Sequence, residues 1–138
     1  MATFHRYLLG LTGIMLCLIG IAYCIDPNLL LGRYDLGVVG ASEDNMYRGA
    51  YGGLFISLGA AITYGFYSAS FRRTATLMAL LFMSGFAAGR LVSVFATGLP
   101  HEQILNLLAF EIVTTLLFAW ALITPQATAA QTTPPRGV

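Results

Sequence analysis

Lysine is absent from the 138-residue chain, and charge of either sign is scarce. Seven arginines stand against six acidic residues, giving a formal net charge of +1, and charged residues make up only 9% of the sequence. A water-facing surface usually needs about a quarter charged residues, so a soluble enzyme and a disordered chain are both excluded. A nucleic-acid-binding protein is excluded as well, because no basic patch is present to recruit a polyanion. Cysteine is nearly missing. Cys17 and Cys24 fall in one apolar stretch, where a helix would hold them roughly 10 Å apart, beyond disulfide reach. Neither a disulfide framework nor a CxxC pair exists. Catalytic signatures are lacking too: there is no HExxH, nucleophile elbow or phosphate loop. His5 and His101 have no neighbouring histidine or cysteine with which to hold a metal.

What the chain has in excess is apolar surface. Hydrophobic residues make up 57% of it and the mean hydropathy is +0.76, the composition of a small integral membrane protein. Four runs, 7–25, 49–67, 74–96 and 104–124, approach or exceed the roughly 20 residues that cross a bilayer as helix. Lipid offers the backbone no hydrogen bonds, so each run is expected to be helical. The expected fold is therefore all-α, an integral membrane antiparallel four-helix bundle occupying 1–125. The first run is too long for the apolar core of a signal peptide, and no small-residue cleavage site follows it.

Arg6 precedes the first run, and Arg72 and Arg73 fill the connection between the second and third. The positive-inside rule then places both termini in the cytoplasm. The Ala-, Thr- and Pro-rich stretch 126–138 reads as a disordered cytoplasmic tail. The connection 26–48 is too apolar for a solvated loop and is expected to lie at the interface over the outer end of the bundle. Tyr7, Tyr23, Tyr67 and Trp120 fall near helix ends, where aromatic side chains anchor at headgroup level.

Helices in lipid associate through close contact of small residues. The second run carries such residues every fourth position, at Gly49, Gly53, Ser57, Ala61 and Gly65. Gly85, Gly89 and Ser93 repeat the pattern in the third run, and Gly13, Cys17, Gly20 and Cys24 provide a small-residue face in the first. These faces are expected to pack the bundle, with one of them left for a second copy of the chain or for ligand access.

Two charges fall inside the apolar runs. Arg90 lies about six residues before the outer end of the third run and Glu111 about seven after the start of the fourth, which puts both roughly 10 Å below the surface. An ion in hydrocarbon needs a partner, so Arg90 and Glu111 are expected to pair. Arg48 enters from the same side and is expected to reach toward Glu111, with Tyr51, Ser93 and Thr97 nearby and Thr114 and Thr115 flanking the carboxylate. Such a pocket would hold two arginines and one carboxylate, and the spare positive charge would favour an anionic or carbonyl-bearing ligand. Three roles remain open: a pair that only fixes helix register, a ligand or headgroup site, and proton relay or catalysis.

The ordered set of residues resembles a known family. Asp44-Asn45-Met46-Tyr47-Arg48-Gly49-Ala50-Tyr51-Gly52-Gly53 comes first. Ala88-Gly89-Arg90 with Ser93, then Gly98 and Pro100, then Glu111 complete the set. Together they are similar to the small bacterial membrane proteins of domain of unknown function 4345. The 37–42 stretch departs from that pattern. The resemblance implies four transmembrane helices in a bacterial inner membrane and assigns no activity. A looser likeness to DoxX-type four-helix proteins implies an accessory role beside redox or quinone-linked enzymes. The leading expectation is a non-enzymatic accessory or assembly module that self-associates or docks on a larger membrane complex. The alternative is a pocket around Arg48, Arg90 and Glu111 that binds a lipid headgroup, a quinone or another small anion. No cofactor is expected beyond a bound lipid or quinone, and the expected partners are membrane lipids, with no nucleic acid.

Overall fold

The computed structural model describes residues 2–34 and 36–124, and every regular element among them is helical. The expected tail, 126–138, lies outside the described residues. Helix α1 runs Ala2–Ile25, followed by a short α2, Asn28–Leu31, that tightens into a 3-10 turn at Gly32–Tyr34. Helix α3, Ala41–Tyr47, passes through a π-helical segment, Arg48–Gly53, into α4, Leu54–Tyr67. Helices α5, Arg72–Thr97, and α6, Glu102–Ile123, complete the chain.

Three of these helices, Thr3–Ile25, Arg72–Thr97 and Glu102–Ile123, are long and apolar enough to cross a membrane. Their outward faces agree with that assignment. Leu11 is 72% exposed, Leu81 70% and Leu116 64%, apolar surface that a water-soluble monomer does not display in such quantity. The second expected span differs from its sequence reading. Its α-helical part has only 14 residues, and the segment before it is π-helical, with the Leu54 N–H donating to the carbonyl of Gly49 five residues back.

Helices α1 and α4 pack antiparallel along a seam set by glycines seven residues apart in each. A Cβ on Gly13 would fall 2.7 Å from the Gly59 carbonyl oxygen, and one on Gly20 would fall 2.8 Å from that of Gly52. Seven residues is close to two full helical turns, so both contacts stay on one face. The buried positions of α4 and the turn before it, Gly52, Phe55, Gly59, Ile62 and Gly65, step by three and four residues, the rhythm of a coiled-coil seam.

That rhythm explains why the expected stripe fails as the intrachain contact. Positions 53, 57 and 61 fall one or two residues off the inward line through Gly52, Phe55, Gly59 and Ile62, about 100–200° around the helix, and the stripe meets that line only at Gly65. Gly65 faces inward and meets Ala75. Ala61 is half-buried, whereas Gly53 and Ser57 are exposed, and nothing approaches Gly49. On α5 the inward positions are Ala75, Ala79, Met83 and Ala87. Gly85 and Gly89 lie two positions away from that line, about 200° around the helix, with open space where a Cβ would sit.

Helix α5 joins the two halves, packing on α4 and on α6. At the end bearing Arg6, the Nε2 of His5 lies 2.6 Å from the hydroxyl of Thr76, which itself donates to the Arg72 carbonyl at 2.7 Å. That hydroxyl has one proton, already given to Arg72, so His5 is the donor in the first bond. This buried contact is why α1 begins at Ala2 rather than near residue 7. At the far end α5 stops at Gly98, whose φ of 95° is open to glycine and strained for other residues. His101 then caps α6 by accepting from the Gln103 N–H.

Candidate functional site

A cavity of about 390 Å³ opens between the helices at the end that carries Gly98 and the α1–α3 connection. Its size lies within the range of small-molecule sites. The deep part is apolar and aromatic, with Leu16, Phe55, Phe82, Met83 and Phe86. Leu30, Leu31, Tyr34 and Leu36 come from the connection after α1, so the apolar character of 26–48 serves to line this space. Tyr23, Tyr47 and Tyr51 form one side. Leu107 and Phe110 of α6 form another.

The tyrosines are arranged by the helix that carries them. Tyr47, Tyr51 and Phe55 follow one another at four-residue intervals through the π segment. The Tyr47 and Tyr51 rings stack at 5.6 Å between centroids, and Tyr23 of α1 lies nearly parallel to Tyr47 at 6.4 Å. Tyr51 passes the series on to Phe55 at 5.6 Å, and Phe55 meets Phe82 edge-on at 5.2 Å. Offset and edge-to-face pairs of this kind are the favoured aromatic arrangements.

Arg90 and Glu111 are the only charged side chains lining the cavity among the described residues. The Nε–H of Arg90 is shared between the two carboxylate oxygens of Glu111, each 2.9 Å away. The carboxylate side chain is 9% exposed and the arginine 27%. Neither terminal nitrogen of Arg90 has a hydrogen-bond partner among the described residues. A guanidinium carries five N–H donors, and this ion pair uses one.

The expected site is thus only partly assembled. Arg90, Glu111 and Tyr51 come together as the sequence predicts. Arg48 does not join them. Its Nε donates to Asp44 at 2.6 Å, and one terminal nitrogen donates to the carbonyls of Cys24 and Ile25. These carbonyls end α1 and lack partners within their own helix, so the nearest strong donor captures them. Ser93 is exposed and bonds within its own turn to Thr97. Thr114 and Thr115 donate to carbonyls four residues back. Tyr23, Tyr34 and Tyr47 are site residues that sequence reasoning missed. The four-residue spacing of Tyr47, Tyr51 and Phe55 was the available signal.

A larger and shallower depression, about 550 Å³, lies at the opposite end between α1 and α4. Phe4, Tyr7, Phe66 and Tyr67 line it, with no charged side chain. It offers mainly apolar contact, with the buried Thr63 hydroxyl among its few polar groups.

The Domain of unknown function (DUF4345) family model matches residues 4–122, nearly all of the described chain. No curated protein matches the chain, and no solved structure does. The chain belongs to the DUF4345 family.

Proposed function

We propose that this DUF4345 member is a four-span protein of the bacterial inner membrane that binds, without catalysis, a small amphipathic molecule in the cavity walled by Arg90 and Glu111. The second crossing would be the α4 run extended through its π turn. Residues 48–67 cover about 30 Å at helical rise, the thickness of a hydrocarbon core. Arg6, Arg72 and Arg73 gather at one end of the helices, and Asp26, Glu43, Asp44 and Glu102 fall toward the other, which supports cytoplasmic termini. The observation that carries the reading is the underused ion pair. Arg90 lines a largely apolar space with only its Nε–H engaged, which leaves donors available to a polar group on a bound molecule. The one carboxylate in the described lining, Glu111, is held by Arg90, which supports binding over reaction.

The test is purification in mild detergent followed by native mass spectrometry and solvent extraction. The wild-type protein is expected to retain a stoichiometric small molecule, and Leu30→Trp, which fills the cavity from the connection after α1, is expected to lose it. Wild-type protein that is ligand-free in several mild detergents would refute the reading.

A second reading draws on the uncovered small residues Gly49, Gly53, Ser57, Gly85 and Gly89. Their open surfaces suit close approach by another helix, either a second copy or a subunit of a larger membrane complex, and thus an accessory role. Sedimentation in detergent distinguishes a monomer from a defined oligomer.

A further inference from the structure

We infer that the molecule selected by this cavity is electrically neutral and presents a carbonyl oxygen to the terminal nitrogens of Arg90, with its apolar body against Phe55 and Phe82; the inference rests on the ligand-binding reading above. The sequence pointed to two arginines against one carboxylate, and hence to an anion. The structure removes one of those arginines. Arg48 is committed to Asp44 and to the end of α1, so the described lining holds one positive and one negative side chain.

The charge balance decides the class. An anion brought here would gain Arg90 but would also stand beside the Glu111 carboxylate, and it would lose its own hydration in an apolar space. A cation meets the converse problem. A neutral acceptor avoids both costs, because it needs only donors, and Arg90 supplies them without giving up Glu111. The donors are fixed in direction, since the shared Nε–H ties the guanidinium to α6. The remaining surface near it is aromatic and aliphatic, which suits a ring or a chain. Two sources offer a neutral carbonyl on an apolar body: the ester of an uncharged lipid and the ring carbonyl of a quinone.

The experiment compares three probes on delipidated full-length protein in detergent: a short-tailed ubiquinone, dioctanoylglycerol and dioctanoyl phosphatidylglycerol. Binding is read by tryptophan-independent microscale titration and by thermal shift. At least one neutral probe is expected to bind about tenfold or more tightly than the anionic one, and which neutral probe wins identifies the source. The double variant Arg90→Met with Glu111→Gln removes both charges together, so the fold can be verified by its melting transition without ligand. It is expected to weaken the neutral probe by about tenfold to a hundredfold, the loss typical for a hydrogen bond from a charged donor. Tighter binding of phosphatidylglycerol to the wild-type protein would overturn neutrality while leaving a cavity ligand in place. Failure of all three probes, together with ligand-free purified protein, would bring down both readings.

Discussion

Gly20 and Gly52 bring α1 and the π segment so close that a side chain on either would strike the other's backbone or its neighbours. The first prediction follows from that contact. Gly20→Val is expected to destabilise by about 1–3 kcal/mol or more, the usual effect of overpacking, and to lower the melting temperature in detergent. Gly85→Ala meets open space and is expected to be neutral or slightly stabilising, because alanine favours helix by about 0.5–1 kcal/mol over glycine. Equal losses in both variants would show that the α1–α4 seam is not the tight contact.

The second prediction concerns Arg90 and Glu111. Removing one member of a buried pair strands the other, at a typical cost of about 3–5 kcal/mol. Arg90→Met is expected to lose stability in that range, and the added Glu111→Gln change is expected to restore much of it. A double-mutant cycle in which the two losses simply add would mean that the residues are not coupled.

The helices and this ion pair were legible in the sequence because both depend on counting. Apolar run length sets the span, and equal distances from a shared turn put Arg90 and Glu111 at one depth. Three further features depend on details that counting by four does not register. The π turn begins where Arg48, Gly49 and Tyr51 looked like an ordinary helix start, and nothing in their spacing differs from α-helix. Arg48 had two charged or carbonyl destinations, and the unpaired end of α1 was nearer than Glu111. The α1–α4 seam uses glycines seven apart, whereas the more conspicuous repeat of four in the same helix turns away from the contact.

The third prediction tests Gly98. A side chain at φ 95° carries a strain of about 1–3 kcal/mol, so Gly98→Ala is expected to lower thermal stability by that amount. It is expected to loosen the α5–α6 turn without altering the α1–α4 seam, as amide exchange around 97–102 would report. An unchanged melting temperature would mean that the turn adopts another conformation.

The fourth prediction addresses orientation. With Cys17 and Cys24 replaced, a cysteine at Ser42 is expected to react with a membrane-impermeant maleimide in intact cells. A cysteine at Ser70 is expected to react only after lysis. The reverse pattern would invert the protein in the membrane.

The π segment also bears on how this chain tolerates changes in length. A hydrogen bond that spans five residues instead of four encloses one residue more than a regular helical turn. Deleting a single residue among Ala50, Gly52 and Gly53 would let the turn close as ordinary α-helix while α4 kept its own register. The portion before it would keep its orientation, because the residue removed is the one the wide turn holds in excess, and Tyr47 would still lie against Tyr23. The segment therefore absorbs one residue between the part of the helix that is wedged against α1 and the part that furnishes the cavity wall. In an alignment of relatives, a one-residue gap at this spot would mark a chain whose aromatic wall still faces the same way.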